Sequence, residues 1–183
     1  DHSTAYRLRN FLYLFEYLRR DDSVDPAFME QLLRLIHSHM LVLSDDSFYM
    51  KWTNHGLDQC FILYWACKLH PLMQDSDWLV KLASERLNDE INFMFTSEGV
   101  HVENSPGYHR TILTTLTFIR NLYSSYGDTA QADPLTIPLN NAWTYLAYIT
   151  KPDGQLPLIG DTYTSNQRTD SIEIGDLPAQ SWY

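Results

Sequence analysis

Residues 4–20, TAYRLRNFLYLFEYLRR, place Leu8, Phe11, Leu12, Leu14, Phe15 and Leu18 at helical spacing. The stretch from Asp21 to Pro26 interrupts the pattern, and Pro26 suits the first turn of a second helix. Residues 28–43 then carry Leu32, Leu33, Leu35, Ile36, Met40 and Leu43 at the same period. Two helices joined by so short a link form a helical hairpin. The rest of the chain repeats the theme. Thr53 or Asn54 caps a third helix that runs to about Leu69 and closes at Pro71. Asp75 or Ser76 opens a fourth, carrying Trp78, Leu79, Leu82, Leu87, Ile91 and Phe95, with Gly99 as its exit signal. A fifth spans about Tyr108 to Tyr126, ended by Gly127, and a sixth Pro138 to Ile149.

Hairpins in series indicate an α/α solenoid or toroid, and no helical-repeat consensus of fixed period is found. The expected fold class is all-α, an incomplete (α/α) toroid of antiparallel helical hairpins. Residues 1–150 form the helical domain. Residues 151–183 form a Gly/Pro-rich segment with turns at Asp153-Gly154 and Gly160-Asp161, and the tail through Tyr183 has no strong period.

Composition narrows the function. The chain has 183 residues, 44% hydrophobic and 20% charged, enough for one domain with a sizeable core and too apolar for disorder. No apolar run reaches the roughly 18 residues of a membrane helix. No signal peptide is visible at the Asp1 end, which leaves the compartment open. A formal net charge of −10 argues against a nucleic-acid partner. It also tilts any polyanionic ligand toward an unsulfated one. Twelve Tyr, eight Phe and five Trp supply core rings first and sugar-facing rings second. Cys60 and Cys67 lie two helical turns apart, about 10 Å of rise, too far for a disulfide, so both are expected to pack as small apolar side chains. His37 and His39 point to different sides of a helix and make a poor metal pair, and no metal or cofactor is expected.

Three polar constellations carry the chemistry. In Trp52-Thr53-Asn54-His55-Gly56, with Asp58 nearby, Asn54 and His55 stand at a helix start, where unpaired N–H groups favour an anion. In Glu103-Asn104-Ser105-Pro106-Gly107-Tyr108-His109, Pro106 and Gly107 fix a sharp turn that holds Tyr108 in one direction, as a proton-transfer group requires. In Asp153-Gly154…Gly160-Asp161, Asp161 lines a groove or caps a turn. Each also has a structural reading: Asn54 as a plain helix cap, Tyr108 as a core ring. A toroidal glycoside hydrolase would instead use two facing carboxylates from Asp58, Glu103 and Asp161. A non-catalytic carbohydrate-binding domain would need none of this convergence.

Taken in order, Asn54-His55-Gly56, Glu103-x-Ser105-Pro106-Gly107-Tyr108-His109 and Asp153-Gly154…Gly160-Asp161 resemble the N-terminal α/α-toroid domain of the heparinase II/III-like superfamily of polysaccharide lyases, which includes alginate lyases. The resemblance implies β-elimination at a uronic acid. Asn54 would bond the substrate carboxylate, His55 would assist that neutralisation or take the C5 proton, and Tyr108 would protonate the glycosidic oxygen. Glu103 and His109 would either support the catalytic residues from behind or contact the sugar, and Trp52 and Asp161 are further candidate substrate contacts. The implied partners are an acidic polysaccharide, alginate or a glycosaminoglycan, and a β-sheet domain of the same enzyme that these residues do not supply. A periplasmic or secreted location is implied likewise.

Overall fold

The computed structural model describes residues 2–163, so the expectation for the tail through Tyr183 lies outside the described residues. The helices are α1 (His2–Leu18), α2 (Pro26–Ser44), α3 (Asn54–Leu69), α4 (Ser76–Met94), α5 (Pro106–Ser125), the short α6 (Thr129–Ala132) and α7 (Thr136–Ile149), with a 3₁₀ turn at Asp133–Leu135. Phe95 and His101 form an isolated extended bridge. The chain divides into two units, Asp1–Asn92 and Phe93–Tyr183. The all-α class is as the periodicity predicts, and helical hairpins recur in each unit.

In the first unit α1 packs on α2 and both pack on α3. Asp25 caps α2 by accepting the Ala27 N–H, with Pro26 just inside the start. Ala5, Leu8 and Leu12 of α1 and Leu32, Ile36, Met40 and Leu43 of α2 are buried stripes, whereas α3 is buried on nearly every side from Gly56 to Tyr64. That makes α3 the central helix, which explains its lack of a polar face. Cys60 and Cys67 are free thiols inside this core, as their spacing predicts. Leu63 is 1% exposed, so Leu63→Ala is expected to cost about 2–5 kcal/mol through lost burial and a residual cavity. Leu72, 99% exposed, should cost under about 0.5 kcal/mol when cut to Ala. Urea midpoints of the two variants check the contrast, and equal costs would contradict this core assignment.

In the second unit α5 packs on α6 and α7. Helix α4 does not run to Gly99, the exit that the sequence suggests. The helix stops at Met94, and the chain reverses through a small loop in which Thr96 N–H donates to the Val100 carbonyl. Gly99 is the tip of that loop, at φ 82°, and a Cβ there would lie 2.5 Å from the Ala142 nitrogen of α7. Only glycine allows both the left-handed backbone and this approach. The fifth helix begins at Pro106, two residues before Tyr108, because Ser105 caps it and proline fits its first position. Helix α6 and its 3₁₀ extension escaped the periodicity, since so few residues cannot show a period.

Candidate functional site

The first polar centre lies where α3 begins. Thr53, not Asn54, is the N-cap: its hydroxyl accepts the Gly56 N–H at 3.1 Å and its carbonyl takes the Leu57 N–H. The first-turn N–H groups of Asn54 and His55 are therefore left without an intrahelical acceptor. Asn54 and His55 are partly exposed, and Trp52 just before them is 54% exposed, with the Lys51 ammonium over its ring at 4.8 Å. Trp52 has φ 63°, a left-handed conformation that costs a non-glycine residue roughly 1–3 kcal/mol.

Helix α1 completes this centre with two residues the motif does not contain. Tyr6 donates its hydroxyl to Asp58 Oδ2 at 2.8 Å, and His2 Nδ1 lies 2.8 Å from the same oxygen. The His2 and His55 rings meet edge to face with centroids 3.6 Å apart. The Arg9 guanidinium stacks over the Tyr6 ring at 4.7 Å. Burial raises the Asp58 carboxyl above its ordinary range, partly offset by the Tyr6 and His2 contacts. Burial, then the neighbouring His2, lowers His55 below the usual histidine value. Burial and the bond to Asp58 push Tyr6 up to about 12. At neutral pH His55 is accordingly a neutral imidazole beside an occupied carboxylate, a state able to accept a proton. The sequence signal for the α1 contribution is slight: His2 and Tyr6 stand four apart, one helical turn, on the face that also holds Ala5 and Leu8 or flanks them.

The second polar centre lies where α5 begins. Ser105 Oγ accepts the Tyr108 N–H at 3.5 Å. Thr162 ties the late Asp153–Asp161 segment to this turn: its hydroxyl accepts the Gly107 N–H at 3.0 Å, lies 3.2 Å from Ser105 Oγ and donates to the Ile159 carbonyl at 2.8 Å. Two motifs some fifty residues apart are thus one local structure. Tyr108 is half-buried, while Glu103 and Asp161 are exposed. His109 is 2% exposed; its Nδ1 accepts the His101 N–H at 3.3 Å and its Nε2 lies 2.9 Å from the Ala142 carbonyl. Those partners fix the Nε2–H tautomer and leave no ring nitrogen over for a sugar. His109 therefore braces the turn behind Tyr108.

His101 is buried beside His109, and burial followed by that neighbour lowers its pKa from 6.5 to about 4. The folded value is below the unfolded one, so this histidine's contribution to stability is complete above about pH 6.5 and is lost as pH falls toward about 4. Urea midpoints taken across that window should drop more for the native protein than for His101→Leu. Parallel pH dependences would refute the assignment.

Elsewhere, His37 reaches Asp75 Oδ2 at 3.1 Å and His39 the Leu35 carbonyl at 2.8 Å, so the two histidines serve separate partners. No helix among the described residues is long and apolar enough to cross a membrane.

Fold and polar centres together define an all-helical domain that presents amide, imidazole and phenol groups on the opening turns of its helices. Residues 3–174 match the family described as heparinase II/III N-terminus, and the chain belongs to that family. Two crystal structures of the heparan sulfate lyase HepC from Pedobacter heparinus share the fold. The mutant matches with a TM-score of 0.67, 21% identity and 87% of this chain covered. The other structure matches with a TM-score of 0.66, 21% identity and 88% covered. In both cases the chain spans only 25% of the solved enzyme's length. No curated protein matches the chain.

Proposed function

We propose that this chain is the helical part of a polysaccharide lyase that cleaves uronic-acid-containing polysaccharides by β-elimination. The observation that carries the reading is the family match over residues 3–174, with Asn54, His55 and Tyr108 each on the opening turn of a capped helix. In this reading Asn54 donates its amide to the uronate carboxylate. Screening that charge makes the C5 proton acidic enough to remove without a metal. His55, neutral for the reasons given above, assists at the carboxylate or takes the C5 proton. Tyr108 delivers a proton to the glycosidic oxygen as the C4–O bond breaks. The electron pair of the C5–H bond becomes the C4–C5 double bond, and the two products are a new reducing-end hydroxyl-bearing chain and an unsaturated uronate.

The Trp52 ring suits stacking on a sugar face, and Glu103 and Asp161, both exposed, suit hydroxyl groups. A companion β-sheet domain of the same polypeptide closes the site and supplies further groups. The similarity to a heparan sulfate lyase favours a glycosaminoglycan as substrate, while the net charge of −10 favours a lightly sulfated or unsulfated one. The enzyme acts in the periplasm or outside the cell, where such polymers occur.

The test is the appearance of ultraviolet-absorbing unsaturated product when the full-length protein meets heparan sulfate, chondroitin, hyaluronan and alginate in turn. Absorbance on one polymer supports the lyase and names its substrate class. New reducing ends without absorbance would replace it with a hydrolase, and binding without either signal with a carbohydrate-binding domain. The hydrolase is the weaker candidate because Asp58 is already engaged by Tyr6 and His2.

A further inference from the structure

Helix α4 carries two charged residues in its buried stripe. Leu79, Ala83, Arg86 and Glu90 recur at one-turn spacing, and all four are buried, Glu90 completely. A buried carboxylate is expensive unless its oxygens are used, and Glu90 uses one: Oε2 is buried without a hydrogen-bond partner among the described residues, and burial raises the carboxyl above its ordinary range. Glu90 Oε1 accepts the Trp52 N–H at 2.8 Å and the Tyr49 hydroxyl at 2.5 Å. Arg86, one turn earlier, donates to the carbonyls of Leu43 and Ser44 at 3.0 and 2.8 Å. Gln59 of α3, also buried, accepts the Met50 N–H at 3.0 Å and donates to the Phe48 carbonyl at 3.1 Å. Three buried side chains therefore satisfy the polar groups of the irregular connection between α2 and α3.

The fit around Glu90 is tight. A Cβ on Gly56 would lie 2.7 Å from Glu90 Oε1 and 2.3 Å from the Met50 carbonyl oxygen. The first turn of α3 and the residue-50 turn thus touch across a glycine, with the carboxylate wedged beside them. Trp52 keeps its left-handed backbone while its N–H is held by Glu90. Asn54 follows two residues later. Nothing in the elimination itself uses Glu90.

We propose that Glu90 is a positioning residue: it fixes the turn at residues 49–53 and so sets the attitude in which Asn54 meets the uronate carboxylate. This rests on the lyase reading for its consequence, though not for its structural half. Misplacing a binding group by about 1 Å can cost roughly 100-fold in rate.

The experiment uses the full-length protein and a cycle of Glu90→Ala, Asn54→Ala and the double variant, with Glu90→Gln as the conservative change. Amide hydrogen exchange across residues 48–56 is read alongside kcat and KM. Glu90→Ala should speed exchange at Trp52 by about tenfold or more while α1 keeps its protection. It should lower kcat by about 10- to 100-fold, and the double variant should be no slower than Asn54→Ala alone. Glu90→Gln, which keeps an oxygen acceptor, should retain most of the activity. Unchanged exchange at Trp52, or losses that simply multiply in the double variant, would overturn the proposal. Should Glu90→Ala fail to fold, Glu90→Asp, one methylene short, takes its place in the same cycle. If the native protein makes no unsaturated product, the lyase reading fails, and exchange at Trp52 alone decides whether Glu90 fixes the turn.

Discussion

Tyr108→Phe in the full-length protein is expected to cut the elimination rate by roughly 10²–10⁴-fold, the usual contribution of a positioned proton donor. That is about 3–5 kcal/mol of barrier. The substitution removes one oxygen and keeps the ring. The Ser105 cap binds the Tyr108 backbone N–H, not its side chain, so the start of α5 survives the change. The bonds from Thr162 to Gly107 and from His109 to His101 and Ala142 are likewise untouched. Melting temperature should therefore stay within a few degrees of the native value while product formation all but stops. KM should move little, because a proton given only in the transition state adds nothing to ground-state binding. A variant that keeps more than about a tenth of the native rate would remove Tyr108 from the acid's role.

How the elements became legible differs along the chain. Helices α2 and α3 could be read to within a residue or two, because Pro26 and the Thr53-Asn54 pair are start signals and Pro71 a strong stop, and the structure adds Asp25 as the cap of α2 and Thr53 as that of α3. Helix α4 was legible in its body and not at its end. Gly99 looks like a helix exit in sequence, but its left-handed backbone serves a close approach to α7, and only the tertiary contact shows that. The candidate site could be picked out where a motif compresses it into a few residues, as at Asn54-His55 and at Ser105-Pro106-Gly107-Tyr108. It was hidden where two helices supply it jointly. His2 and Tyr6 gain their meaning from Asp58, fifty-two residues beyond Tyr6. Thr162 gains its meaning from Gly107, fifty-five residues before it. Arg86 and Glu90 did leave a trace, since charged residues in the stripe of Leu79 and Ala83 conflict with a simple apolar face and mark a buried network. A histidine next to the motif tyrosine invites a substrate role, yet both its nitrogens are spent on the protein.

Asn54 offers the second large effect and the sharper separation of activity from stability. Asn54→Ala removes the amide proposed to screen the uronate carboxylate, and a loss of about 10²–10³ in kcat is expected, as for removal of one preorganised donor elsewhere. Asn54→Asp is the more instructive change. Thr53 is the cap, so the helix does not rely on the Asn54 side chain to begin. A carboxylate in the first turn of a helix interacts favourably with its dipole, by about 0.3–1 kcal/mol. Stability should hold or rise slightly. Catalysis should fall at least as far as in Asn54→Ala, because a second negative charge now faces the substrate carboxylate, and KM should rise with it, most at low salt where screening is weak. If Asn54 only supported the helix, the order would reverse, with Asn54→Asp active and Asn54→Ala the poorer protein. Steady-state kinetics at two salt concentrations and urea midpoints on the same two variants decide between them, since the two roles predict opposite rankings.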